Sequence, residues 1–233
     1  MKHPVGNRLL SAARFVRQDA YFADIGTDHA YLPIFLLSGG VIRRAVCSDI
    51  NEGPLASAEK NAKEAGVLDK IDFFLTDGAA ALSHLPITDC AICGMGGELI
   101  SDIIDRAPHL KEKEINLILQ PMTRQSELRR YLAENGFSVL DEAYSYEAGK
   151  YYVCINARYD GMYRQITDLE AEFGKLDPRV DLSPERQGYI ETKLRALKKA
   201  RDGKAKGGEA SSYEERVLIE YDRFLAKGKE NDC

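Results

Sequence analysis

The chain has 233 residues, 44% of them hydrophobic and 30% charged, with 19 Gly, 8 Pro, 12 Tyr, 8 Phe and no Trp. This composition excludes a disordered or fibrous protein and supplies the apolar bulk for one ordinary globular domain and an appendage. The net charge is −5, so any nucleic-acid partner has to be held by a local basic patch rather than by bulk charge.

The N-terminal stretch MKHPVGNRLLSAARFVRQDAYFADIG has no apolar leader core and spaces its apolar residues as on a helix that precedes a strand. A cytoplasmic location is expected. The longest nearly unbroken apolar stretch, Tyr31 to Leu37, is far short of the roughly 20 residues that span a membrane. From Tyr21 to about Arg158, short apolar runs alternate with helical patterns, the sequence form of βαβ units in a mostly parallel, Rossmann-like α/β sheet. Strands are predicted over Tyr21 to Ile25, Arg44 to Asp49, Ile71 to Leu75, Cys90 to Cys93 and Asn116 to Gln120, with helices between them. A helix over Gln125 to Asn135 is followed by Phe137 to Tyr146 and Lys150 to Tyr159, a terminal antiparallel hairpin turning at Glu147, Ala148 and Gly149. The five cysteines are an odd number. Cys47, Cys90 and Cys154 lie in apolar runs that suit buried thiols. Cys90 and Cys93 form a C-x-x-C inside a strand, without a second pair at zinc-site spacing, so no metal is expected.

Beyond Tyr159 the strand signal stops. Met162, Ile166, Leu169, Phe173 and Leu176 alternate spacings of four and three, as in an α-helical hairpin or coiled coil. The pattern recurs at Ile190, Leu194 and Leu197 and at Val217, Tyr221 and Phe224, with Gly203, Gly207 and Gly208 expected to break the chain between two long helices. The organisation expected is a first domain over 1–159 and a helical, coiled-coil domain over 160–233. Arg186 to Lys206 carries eight Lys or Arg and two acidic residues, which suits either a solvated helix face or an RNA backbone contact.

The chemistry lies at the predicted strand ends. The first strand runs into Asp24-Ile25-Gly26-Thr27-Asp28-His29-Ala30, a tight turn where open α/β sheets bind ligands. Asp28 and Ala30 stand where a dinucleotide fingerprint has its further glycines. A carboxylate there repels a pyrophosphate, which disfavours NAD and FAD and favours a positively charged ligand such as S-adenosylmethionine. Asp28 also suits a helix cap. Asp49 ends the second strand where a carboxylate can accept both ribose hydroxyls, or cap the next helix. Asp77-Gly78 ends the third, with Asp77 placed to accept from an adenine amine. Gly94-Met95-Gly96-Gly97 ends the fourth and lets backbone lie close to a flat or reactive group. Gln120-Pro121 ends the fifth with an amide that can meet a base edge or stabilise the turn. The Asn/Asp-Pro-Pro-aromatic motif of exocyclic-amine methylation does not follow strand four.

In this order DIGTDHAYLP, SDINEGPLASAEKNA, DGAAAL, GMGGELI and LILQP, followed by a helical tail, resemble the bacterial TrmK-type tRNA (adenine-N1) methyltransferases. These are class I S-adenosylmethionine-dependent enzymes acting at position 22 of tRNA. The family often has Asn after Gln-Pro, where this chain has Met122. The resemblance implies that Asp24, Gly26, Asp28, His29, Asp49, Asp77, Gly78, Gly94 and Met95 border the donor pocket, and Thr27, Ile50 and Gly96 adjoin them. Adenine N1 has a free lone pair, so no strong base is required, but the product base is cationic. Asp28 is the expected stabiliser of that charge, with His29 orienting it and Glu98 a weaker candidate. The expected tRNA contacts are Lys2, Arg8, Arg14 and Arg17 near the N-terminus, Gln120 and Pro121 at the rim, and Lys198 and Lys199 in the basic stretch. His3, His84 and His109 show no partner pattern. The alternatives are the same fold acting on another RNA base or a small molecule, or a non-catalytic nucleotide- or RNA-binding module. Oligomeric state is left open.

Overall fold

A computed structural model describes residues 5–112, 114–177, 182–207 and 212–230. Seven strands form one sheet: β1 (Tyr21–Ile25), β2 (Arg44–Asp49), β3 (Ile71–Leu75), β4 (Asp89–Gly96), β5 (Asn116–Thr123), β6 (Phe137–Glu147) and β7 (Lys150–Tyr159), in the order β3-β2-β1-β4-β5-β7-β6. The first five are parallel, and β7 runs antiparallel to both β5 and β6. The helices are α1 (Asn7–Ala13), α2 (Tyr31–Ser38), α3 (Glu52–Glu64), α4 (Gly97–Asp105), α5 (Gln125–Glu134), α6 (Asp168–Phe173), α7 (Pro184–Lys206) and α8 (Ser212–Glu230).

The central strands read as unbroken apolar runs because helices cover both faces of the sheet. One core gathers Phe22, Leu36, Ala91 and Ile118 under α1 to α3; the other gathers Ile92, Ile104, Leu117 and Leu132 under α4 and α5. Chain order reverses at β1, which pairs with β2 on one side and β4 on the other. The crevice beyond the carboxyl ends of these strands is where this architecture binds ligands.

Strands four and five run further than the sequence signal. β4 continues through Gly94, Met95 and Gly96, with register shifts against β5 on either side of Met95. The larger difference lies after β7. Residues 160–167 are not helical, and Met162 is 60% exposed. Gly161 turns the chain at φ +77, while the Asp160 carboxylate accepts from Ser138 Oγ at 2.6 Å, Met162 N at 2.9 Å and Arg164 Nη1 at 3.1 Å. The helix starts only past Thr167, where the Thr167 hydroxyl accepts from Glu170 N and the Glu170 carboxylate accepts from Thr167 N. Gly203 lies inside α7 and Gly207 caps it, while Gly208 lies outside the described residues.

Helices α6, α7 and α8 pack against α5 and the β6–β7 hairpin as well as on one another. Tyr189, Ile190, Leu197, Val217 and Leu218 belong to the same core as Ile92 and Leu117. A buried ion pair ties α5 to β6 beside the C-terminal helices: Arg129 Nε lies 2.6 Å from Glu142, with side chains 3% and 6% exposed. Arg129 also donates to the carbonyls of Ala171 and Glu172, and Tyr144 donates to Glu142.

Candidate active site

At the switch point a cleft of about 230 Å³ opens between the ends of β1, β2, β3 and β4. Ile25 and Gly26 form its base, Asp49, Ile50 and Asn51 one wall, Thr76, Asp77 and Gly78 the next, and Met95, Leu99 and Ile103 close it. Gly26 has φ +75, a backbone conformation that favours glycine, and a Cβ there would stand 1.9 Å from the flexible tip of Met95, Cε, and displace it.

Asp24 lies at the end of β1, buried, and its carboxylate accepts a hydrogen bond from the buried Thr27 hydroxyl. Burial pushes its carboxyl from 3.8 up to about 6, against the lowering effect of that hydrogen bond. Asp49 Oδ1 accepts from Asn51 N at 2.8 Å; no other partner among the described residues takes its second oxygen. Asp49 does not cap α3, whose N-cap is Asn51. Exposed Ile50 and Leu99, 64% and 45%, give the cleft apolar lips. The cleft therefore combines an apolar slot with an acceptor carboxylate on its wall, an arrangement suited to an adenosine and its vicinal hydroxyls. Asp77 is paired with Arg106, which reaches back from the end of α4.

Other expected site residues stand elsewhere. Asp28 does not line the cleft; it is 77% exposed on the turn after Thr27, 3.4 Å from His29 Nε2. Nor does it cap α2, whose N-cap is Ala30 in the left-handed region at φ +54. Asn61 holds this turn by donating to the His29 carbonyl, and the His29 ring stacks on Tyr31. Gln120 is fully buried, not on an exposed rim, and Pro121 is buried beside it. Gln120 Oε1 accepts from Arg8 Nη1 at 2.7 Å and from Gly94 N at 3.1 Å. It thus ties α1 to the glycine loop, where Gly94 turns at φ +83 and Gly96 backs onto Thr123. Glu98 faces Arg124 at 3.7 Å.

The expected N-terminal basic patch is largely spent on structure. Arg17 pairs with fully buried Asp89 at the amino end of β4, opposite the cleft, and donates to the Glu114 carbonyl. Lys2 and His3 lie outside the described residues. Arg14 is exposed and lines a separate groove with Phe35 and Tyr146. On α7, Arg186 lies over the Tyr144 ring, Lys193 meets Glu172 and Lys204 meets Glu214. Lys198 and Lys199 are exposed.

Sequence reasoning missed Asn51, Thr76, Leu99, Ile103 and Arg106. The four-residue spacing of Leu99 and Ile103 behind the glycine loop is a usable signal, since it sets both on one face of α4. The described cysteines are free thiols, and burial raises Cys93 to about 12. Among the described residues no group of three or more His, Cys, Asp or Glu could hold a metal, and no helix is long and apolar enough to cross a membrane.

The family model described as "Methyltransferase domain" matches residues 5–155. The tRNA (adenine(22)-N(1))-methyltransferase of Bacillus subtilis is 30% identical over 165 residues, 68% of this chain and 69% of that protein. Streptococcus pneumoniae Sp1610, solved in complex with S-adenosyl-L-methionine, superposes with a TM-score of 0.81 at 30% identity, covering 95% of this chain and 100% of that one. M. capricolum TrmK in complex with S-adenosyl-homocysteine gives a TM-score of 0.72 at 26% identity, covering 98% of each. With the cleft at the switch point and the strand-end acids around it, these likenesses show that the chain belongs to the TrmK-type tRNA (adenine(22)-N1)-methyltransferase family.

Proposed function

We propose that this protein methylates N1 of the adenine at position 22 of tRNA, with S-adenosylmethionine as donor, in the cytoplasm where its tRNA substrate is found. The observation that carries the reading is Asp49, on the wall of the switch-point cleft with one oxygen held by Asn51 and the other uncommitted. That oxygen accepts from the ribose hydroxyls, Ile50 and Leu99 flank the adenine, and Asp77 accepts from its amine. Asp24 places negative charge beneath the Gly26 turn, which suits a cationic donor.

When bound, S-adenosylmethionine supplies an electrophilic methyl on a sulfonium. The N1 lone pair forms the new N–C bond as the methyl–sulfur bond breaks and sulfur keeps the electron pair. No proton moves, so the protein's work is alignment and stabilisation of the cationic base. The exposed Asp28 carboxylate, beside His29 on a turn fixed by Asn61, serves that second purpose from the edge of the site. N1 lies on the Watson–Crick edge, so the adenine must be unpaired or flipped, at a cost of a few kcal/mol. Arg14, Lys198 and Lys199 hold the tRNA backbone from outside the cleft.

The test is incubation with labelled S-adenosylmethionine and unmodified tRNA, followed by nucleoside analysis. Label in N1-methyladenosine supports the reading. Donor binding without transfer to any tRNA overturns it in favour of another acceptor.

A further inference from the structure

Arg106 lies outside the cleft wall and was not expected to act there, yet it is the residue that engages Asp77. It follows α4 directly, and its Nε donates to the Asp102 carbonyl at 3.3 Å, one turn back. From this anchor Nη1 donates to Asp77 Oδ2, while Nη2 comes within 3.9 Å of where a Cβ on Gly78 would stand. Gly78 has φ +70, so the chain turns sharply under the guanidinium. Asp77 itself is 67% exposed. An exposed aspartate on a turn ordinarily samples several rotamers, and any hydrogen bond it makes to a ligand loses the entropy of fixing one.

We propose that Arg106 is a positioning residue for the donor's adenine. By holding Asp77 Oδ2, it leaves Oδ1 turned to the cleft as the acceptor for the 6-amino group, and so sets the preference for adenine over purines that lack that amine. The proposal rests on the donor-pocket reading above and deepens it. A guanidinium tethered at its own Nε to a helix carbonyl is suited to this work, because the tether holds the plane from which the single Nη1 donor reaches Asp77 Oδ2. The charge of Asp102 on the same helix end also favours the guanidinium there.

Calorimetry of the full chain tests this with two ligands: S-adenosylhomocysteine, and its analogue with hydrogen in place of the purine 6-amino group. The wild type is expected to prefer S-adenosylhomocysteine by about tenfold or more, the scale of a hydrogen bond to a charged group. Arg106→Ala should weaken S-adenosylhomocysteine by about five- to tenfold and leave the analogue unchanged, so that the ratio narrows. In an Asp77→Ala background the ratio is already narrowed, and adding Arg106→Ala should move it no further. An unchanged or widened ratio in Arg106→Ala overturns the proposal. Equal weakening of both ligands also overturns it, since a structural role would act that way. A further narrowing in the Asp77→Ala background places Arg106 directly on the purine and overturns the positioning role. Failure of the wild type to bind S-adenosylhomocysteine at all overturns the donor pocket itself, a result separate from the others.

Discussion

Asp24→Asn should stabilise the folded protein at pH 8 and leave it nearly unchanged near pH 4. Burial raises this carboxyl from 3.8 to about 6. The folded value lies above the unfolded one, so the folded state binds the proton more tightly and stability falls as pH rises from about 3.8 to about 6. Above that window the cost is constant, and a shift of about two units corresponds to about 3 kcal/mol. Asparagine has the same shape, stays neutral and still accepts from the Thr27 hydroxyl. The variant should therefore gain about 3 kcal/mol at pH 8, or about 6–12 °C in Tm for a chain of this size. Urea unfolding of both proteins at pH 4 and pH 8 is the assay. A gain of the same size at both pH values, or none at pH 8, would refute the reasoning. The functional counterpart is a loss: donor affinity should fall by about tenfold or more, because the charge beneath the Gly26 turn is gone.

Three further outcomes are expected. Gly26→Ala forces a left-handed residue against Met95 Cε, costing about 1–2 kcal/mol in backbone strain, and the displaced Met95 should weaken S-adenosylhomocysteine about tenfold by calorimetry. Glu142→Ala strands the buried Arg129 charge and should cost about 3–5 kcal/mol in denaturant unfolding; a loss under about 1 kcal/mol would mean that the pair does not anchor α5 to β6. The pair Lys198→Glu and Lys199→Glu should weaken tRNA binding and lower its salt slope by about two, with S-adenosylhomocysteine affinity intact; loss of both affinities together would contradict the separation of tRNA grip from donor pocket.

What was legible in the sequence was whatever is encoded locally. The first three strands are bounded by turn residues, and β1 and β2 are buried on both faces, so their apolar runs begin and end where the ladders do. Asp49 and Gly26 could be placed because strand ends carry their own punctuation. Partners distant in sequence could not be read. Arg8 meets Gln120 across 112 residues, Arg17 meets Asp89 across 72, and Arg106 meets Asp77 across 29. Each pairing turns a presumed ligand contact or a free cation into scaffold, or adds an unforeseen residue to the site. The tail was misjudged for another reason. Apolar spacing from Met162 mimics a helix, but the Thr167 and Glu170 capping box marks the true start, and Asp160 with Arg164 fixes the turn before it. That signal was in the sequence and outweighs periodicity at a helix boundary.

Transfer to N1 of one adenine leaves its own mark on the tRNA, because N1 methylation blocks the edge that base pairing uses. Reverse transcription of a tRNA transcript after incubation with the protein and S-adenosylmethionine tests it most directly, with Asp28→Ala and a transcript carrying G at position 22 alongside. A new stop at position 22 is expected with the wild-type protein, lost in the G22 transcript and strongly reduced with Asp28→Ala. A stop at another position, or one that persists in the G22 transcript, would contradict the assigned acceptor; an undiminished stop with Asp28→Ala would remove that residue from the reaction.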